Sequence, residues 1–287
     1  MIRPPRHPVA RLSAIVASVV LLMTAVASAV LSRVAGPDPD RRGPTIAAPR
    51  AHLDEWVGRH ARHVSRAMAG PAPLLLLGDS ITRGWLGPAL DGEDSALDRL
   101  RRRRLDSRGA VNFGMDGDHV EHLLWRLRHG GLAGLRPELV VLLAGTNNIG
   151  LDAPEAIAEG VVALVDEIRR RSPDSVILVI GMLPRGTTLG HGQPAISDVP
   201  DPRIAEINRL LAPIDARPRV AFLDFGHRLL DEDGRVVRSM QPDLLHLSTE
   251  GYGAWADAME PTLRLFFGPP PGADAGDPRL LSGSPAG

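Results

Sequence analysis

The chain contains no cysteine and no lysine, and its 287 residues include only five phenylalanines, four tryptophans and one tyrosine. Without cysteine there is no disulfide, no thiol nucleophile and no thiolate-bound metal. Without lysine there is no Schiff-base chemistry. All 33 basic residues are therefore arginine, a bias that fits GC-rich coding and carries no functional information. The scarcity of aromatics speaks against an aromatic-lined lipid groove. No His-Glu-x-x-His motif and no EF-hand spacing occurs, so neither a metal nor another cofactor is expected. A net charge of −1 offers no basic surplus for nucleic acid. What is present, 44% hydrophobic and 23% charged residues, is the composition of an ordinary globular core.

The two ends differ from the middle. Arg3, Arg6 and Arg11 precede an uncharged stretch over residues 12–32, and no acidic residue occurs before Asp38. This asymmetry predicts a targeting segment whose N-terminus stays cytoplasmic, so that the rest of the chain is exported. Residues 1–33 are expected to be a signal peptide, with Ala27-Ser28-Ala29 fitting a peptidase site, or a single-helix membrane anchor. Either makes the protein extracytoplasmic, secreted or anchored. Residues 34–50 read as a linker, 51–267 as one catalytic domain, and 268–287, with Pro269-Pro270-Pro271, as a disordered tail.

Within the domain, strand and helix patterns alternate. Short apolar runs bounded by turn residues predict strands at 74–77, 110–113, 139–143, 176–180 and 220–223. Between them lie helical periodicities, such as residues 154–171, where Ile157, Val161, Leu164, Val165 and Ile168 share one face. Strands alternating with helices predict right-handed crossovers and an α/β fold, a three-layer α/β/α sandwich around a five-stranded parallel sheet. Arginines in 99–108, interleaved with Asp98 and Asp106, read as a solvated helix face. The segment 187–202 is rich in Gly, Pro, Asp and Thr, with no pattern for an amphipathic lid.

In a parallel sheet, ligands bind beyond the carboxyl ends of the strands. The first strand ends there in Leu77-Gly78-Asp79-Ser80, which delivers Ser80 to that edge. The second runs into Asn112-Phe113-Gly114-Met115-Asp116-Gly117-Asp118 and the third into Gly145-Thr146-Asn147-Asn148. Glycine N–H groups and an asparagine amide are fixed neutral donors of the kind an oxyanion hole needs, and are equally ordinary in turns and helix caps. Asp243-Leu244-Leu245-His246 places an acid three residues before a histidine. Such a carboxylate can hold Nδ1–H while Nε2 faces outward as a base, or can simply cap a helix beside a surface histidine. His119 and His122 read as a helix start.

Taken in order, these four blocks resemble those of the SGNH (GDSL) hydrolases, a flavodoxin-like α/β family. Within that superfamily the chain is most similar to the catalytic subunits of platelet-activating factor acetylhydrolase. Leu124-Trp125-Arg126-Leu127, Gly181-Met182-Leu183-Pro184-Arg185-Gly186 and Thr249-Glu250-Gly251-Tyr252 add to the similarity. The resemblance implies Ser80 as nucleophile, His246 as base and Asp243 as its orienting acid. It implies the Ser80 N–H, the Gly117 N–H and the Asn147 amide as oxyanion donors, with Asp79 structural. The expected activity is cofactor-free hydrolysis of small acyl esters, acetyl above all, on a glycan, a lipid or another alcohol. A glycan O-acyltransferase, or a lysophospholipase or thioesterase on the same scaffold, would use the same groups.

Overall fold

Each predicted strand forms within one residue of its expected bounds. In the computed structural model, which describes residues 43–87, 95–188 and 192–270, these are β1 (Leu74–Gly78), β2 (Ala110–Gly114), β3 (Leu139–Leu143), β4 (Val176–Ile180) and β7 (Val220–Leu223). A short antiparallel hairpin, β5 (Gly186–Thr188) with β6 (Ala195–Pro200), branches off after β4. The expected targeting segment at residues 1–33, the start of the linker and most of the tail lie outside the described residues. Among the described residues no helix is long and apolar enough to cross a membrane. Residues 43–50, at the end of the expected linker, pack on the domain: Ala48 is 2% exposed and its N–H donates to the Glu121 carbonyl at 3.2 Å.

The five strands are all parallel in the order β2-β1-β3-β4-β7. The chain therefore steps outward from β1 to β2, then returns across β1 to β3. That reversal opens a crevice at the carboxyl ends of these strands. Side chains alternate across the sheet, and the two core layers follow that alternation. Leu75, Leu77, Val140, Leu142, Ile177 and Val179 face one layer, and Leu74, Leu76, Leu139, Val141, Leu178 and Ile180 the other. The first layer is closed by α1 (Asp54–Met68), α4 (Val120–Arg126), α5 (Pro154–Arg171) and α6 (Pro202–Leu211). Across the sheet lie α2 (Ser80–Arg83), α3 (Ala96–Arg104) and α7 (Thr249–Phe267), with Trp85, Trp255 and Met259 at the centre of that layer. Both faces of the sheet are covered, so the strands carry uninterrupted apolar runs. Helix α5 buries Ile157, Val161, Leu164, Val165 and Ile168, the face that its periodicity predicts.

The arginine run is only in part the solvated face that its charge alternation suggests: Arg99, Arg102 and Arg103 are exposed, whereas Arg104 and Arg108 turn inward. Arg108 is 6% exposed and forks onto both oxygens of Glu260 at 3.0 and 2.8 Å, while Arg104 and Arg264 reach the same carboxylate at 3.1 and 2.9 Å. The segment around α3 is thus clamped to α7 by a bidentate charge pair. Burial works against the Glu260 charge, but hydrogen bonds from Arg108 and Arg264 outweigh it and hold the carboxyl at about 2. Removing one member of such a pair strands the other, so Glu260→Ala should destabilise the domain by about 3–5 kcal/mol in urea unfolding at neutral pH. A loss under about 1 kcal/mol would mark the cluster as a surface network.

Candidate active site

The level ends of β1, β2 and β3 set the site. Gly78 pairs with Gly114 on one side and Leu143 on the other, so the loops that follow start at one height. Gly78 is required there: a Cβ would lie 2.1 Å from Thr82 Oγ1 and 2.4 Å from the Leu143 carbonyl oxygen. Directly after it Asp79 caps α2, its Oδ1 accepting the Ile81 N–H at 2.9 Å. Capping in this way puts Ser80 at the first helical position, at the mouth of the crevice.

Ser80 Oγ lies 2.9 Å from His246 Nε2, across 166 residues of sequence. On the far side of the imidazole, His246 Nδ1 is 2.7 Å from Asp243 Oδ2. The other Asp243 oxygen accepts the N–H groups of Leu245 and His246 at 3.0 and 2.7 Å, an Asx turn that fixes the acid and the histidine as one unit. The bend is tight enough to put Leu244 at φ +64°, in the left-handed region that leucine disfavours. Two contacts hold it there: the Leu244 side chain is buried, and its carbonyl accepts the Gly186 N–H at 2.8 Å. Buried Gln241 adds to this by donating to the Pro184 and Leu245 carbonyls, both at 2.9 Å.

The donors expected around Ser80 lie in the loops after β2 and β3. Gly117 adopts φ +69° at the third position of a turn closed by the Asp118 N–H on the Met115 carbonyl, and its own N–H has no acceptor among the described residues. Asn147 fixes its amide by donating one Nδ2 hydrogen to the Asp118 carbonyl at 2.9 Å. Its neighbour Asn148 points the other way, accepting the Val120 N–H and donating to Glu121 and Asp152. Of the five residues singled out by sequence, Ser80, Gly117 and Asn147 thus lie in the segments that follow β1, β2 and β3 at the carboxyl edge of the sheet, and Asp243 and His246 in the segment that meets Ser80 there. His119 and His122 do start α4, with His122 Nδ1 accepting the His119 N–H at 2.9 Å. Those two and Glu121 are the single buried group of candidate metal ligands among the described residues. One ligand atom from each of the three lies within 4.8 Å of the others, the two imidazoles stack 4.7 Å apart, and His122 Nδ1 is occupied by the cap.

Three supporting residues fall within blocks that add to the family resemblance, which carries no sign of what they touch. Arg126, 2% exposed, donates to the Phe113 carbonyl at 2.8 Å and the Gly78 carbonyl at 3.2 Å, and its Nε pairs with Asp118 Oδ2 at 2.8 Å. An arginine among Val120, Leu123, Leu124 and Leu127 on a core-facing helix was the available hint. Tyr252 donates to the Ile81 carbonyl at 2.7 Å and ties α2 to α7. Arg185 donates to the Thr146 carbonyl at 3.1 Å, beside Asn147.

Chemically, the imidazole stands between a hydroxyl and a carboxylate in the arrangement that lets it take a proton from the one while the other stabilises the resulting cation. Burial lowers the His246 pKa, but the Asp243 carboxylate outweighs it and the net shift is upward from 6.5. Asp79, fully buried, is pushed up to about 7 by loss of solvent. A raised imidazole pKa keeps the cation to higher pH, and only neutral imidazole accepts a proton. The acidic limb of kcat/KM for ester hydrolysis should therefore have its midpoint above about 6.5. A profile that stays flat from about pH 5 to 8 would contradict a histidine base.

Residues 76–254 match the GDSL-like lipase/acylhydrolase family. The chain is 32% identical over 197 residues to platelet-activating factor acetylhydrolase IB subunit alpha1 of Bos taurus, spanning 69% of this chain and 77% of that protein. It is 31% identical over 218 residues to the alpha2 subunit of Gallus gallus, spanning 75% and 84%. Among solved structures, a GDSL-like lipase from Bacteroides thetaiotaomicron aligns with a TM-score of 0.56 at 18% identity, over 72% of this chain and 97% of that one. This last likeness speaks to the fold.

Proposed function

The chain belongs to the GDSL-like lipase/acylhydrolase family, and we propose that within it this protein is a serine esterase acting on short-chain esters, acetyl above all. The observation that carries the reading is the continuous contact from Ser80 Oγ through His246 to Asp243, at 2.9 and 2.7 Å. As Ser80 Oγ bonds to the ester carbonyl carbon, its proton passes to His246 Nε2 and the carbonyl oxygen becomes an oxyanion. The Ser80 and Gly117 N–H groups and the second Asn147 amide hydrogen receive that charge. Collapse breaks the bond to the alcohol, which leaves with the proton from His246. Water then attacks the acyl-serine, again giving its proton to His246, and the acid departs as Ser80 Oγ takes that proton back. Asp243 holds the imidazole in the tautomer that both halves need.

Two observations support a short acyl group. The curated relatives carry the name acetylhydrolase. The segment over 187–202 supplies an antiparallel hairpin in its described residues, with Ile196 and Val199 exposed, and no amphipathic helix that could close over a long chain. Burying each further methylene would gain about 0.8 kcal/mol only against an apolar wall. The charge asymmetry of residues 1–33 supports an extracytoplasmic site of action.

On p-nitrophenyl esters, kcat/KM should fall from acetate through butyrate to octanoate. A rise toward octanoate would move the assignment to a lysophospholipase or thioesterase. Ser80→Ala should abolish turnover in folded protein, and Asn147→Ala should lower kcat by about 10² or more, the typical effect of losing one oxyanion donor. A loss in Asn147→Ala confined to KM would make Asn147 a substrate-binding residue instead.

A further inference from the structure

The peptide between Asp116 and Gly117 has two sides, and the two face different partners. Its N–H is the Gly117 donor of the proposed oxyanion hole. Its carbonyl accepts a hydrogen bond from Arg50 Nη1 at 3.0 Å. The turn Met115 to Asp118 makes this contact consequential. Gly117 at φ +69°, with no positive φ at Asp116, identifies a type II turn. Type I and type II turns differ by a flip of their central peptide, which here is the Asp116–Gly117 unit. In one state the Gly117 N–H emerges on the face opposite Arg50; in the other it turns toward Arg50 and its place is taken by a carbonyl oxygen, which would repel an oxyanion.

Arg50 is held where it can bias that flip. It belongs to the segment before α1, outside the 76–254 family match. Ala48 anchors this segment to the Glu121 carbonyl, and the Leu53 N–H closes a turn on the Arg50 carbonyl at 2.9 Å. Upstream, Pro44 packs so closely on α5 that a Cβ at Gly160 would lie 2.7 Å from it. A Cβ on Gly117 would come within 3.0 Å of Arg50 Nη1, so the guanidinium lies directly against the turn. Arg50 has no carboxylate within ion-pair distance among the described residues. The Asp116 carboxylate is taken by Arg83 at 2.5 Å and by Arg59 at 3.8 Å.

We propose that Arg50 is a positioning residue of the oxyanion hole, its guanidinium locking the Asp116–Gly117 peptide with N–H toward the reacting carbonyl and polarising that N–H through the shared amide. The proposal rests on the esterase reading with Gly117 as donor. A charged donor on the carbonyl of an amide strengthens the hydrogen bond that its N–H makes. The benefit is larger for the transition state, whose oxygen carries full charge, than for the ground-state carbonyl.

The test uses the full-length protein and the variants Arg50→Ala, Arg50→Gln and Arg50→Lys, with p-nitrophenyl acetate as substrate and an alkyl boronic acid as the tetrahedral anion mimic. In Arg50→Ala, kcat should fall roughly tenfold, less than deletion of a donor itself, with KM within about twofold. Boronate affinity should fall in proportion to kcat/KM, Arg50→Lys should recover part of the rate, and added guanidinium ion should raise kcat of Arg50→Ala but not of the wild type. Gln and Lys preserve most of the side-chain stem, so one of them reports even where the alanine variant does not fold. Unchanged kcat in the folded variants overturns the proposal. So does a loss confined to KM, which would make Arg50 a substrate contact, or a lowered Tm with unchanged boronate affinity, which would leave Arg50 a strap anchor only. Ser80→Ala with full activity would be a separate failure, that of the esterase reading.

Discussion

One buried guanidinium sets the frame on which the site is built. Arg126 lies 2% exposed beneath the carboxyl edge of the sheet and bonds the ends of β1 and β2 through the carbonyls of Gly78 and Phe113. Its Nε faces Asp118, whose other oxygen accepts the Trp56 indole N–H at 2.6 Å and whose carbonyl accepts Asn147 Nδ2. A charge in that position would cost several kcal/mol unless paired and hydrogen-bonded, so these partners are fixed by the need to satisfy it. The strand that leads to Ser80, the loop that carries Gly117 and the amide of Asn147 thereby meet around one ion pair. Positional accuracy of this kind matters because oxyanion donors act only when aimed in advance.

On the opposite wall, the Asp243 to His246 segment is fixed by local backbone geometry rather than by a buried charge. The left-handed Leu244 would relax in isolation; its burial and the Gly186 hydrogen bond offset the strain. The acid and imidazole then approach Ser80 as a preassembled pair. Asp79 contributes differently. As the N-cap of α2 it orients Ser80, the proposed nucleophile, and its burial pushes its carboxyl up to about 7.

The fold was legible because strands covered on both faces write uninterrupted apolar runs, and because α5 repeats its buried residues at helical spacing. Ser80, Gly117 and Asn147 were legible as residues in the segments that follow strands, and their common place at the sheet edge follows from the parallel order; Asp243 and His246, well beyond β7, were legible through their spacing and through the family resemblance. What could not be read was long-range pairing. Nothing local distinguishes Arg108, buried against Glu260, from the exposed arginines around it; the partner lies 152 residues away. Arg126 and Tyr252 likewise act on carbonyls 48 and 171 residues distant, a function that depends on packing and leaves no periodic trace. Residues 43–50 have the composition of a linker, and only their contacts show that they belong to the body of the domain.

The central claim is that Ser80 is activated by His246 and carries the acyl group between the two half-reactions. Intact-protein mass spectrometry on enzyme acid-quenched during turnover of p-nitrophenyl acetate tests it most directly. The account predicts an added acetyl group that maps to the peptide containing Ser80, forms at a rate that tracks the neutral fraction of His246, and is absent in Ser80→Ala. An acetyl group on any other residue, or steady turnover by the Ser80→Ala protein, would contradict it.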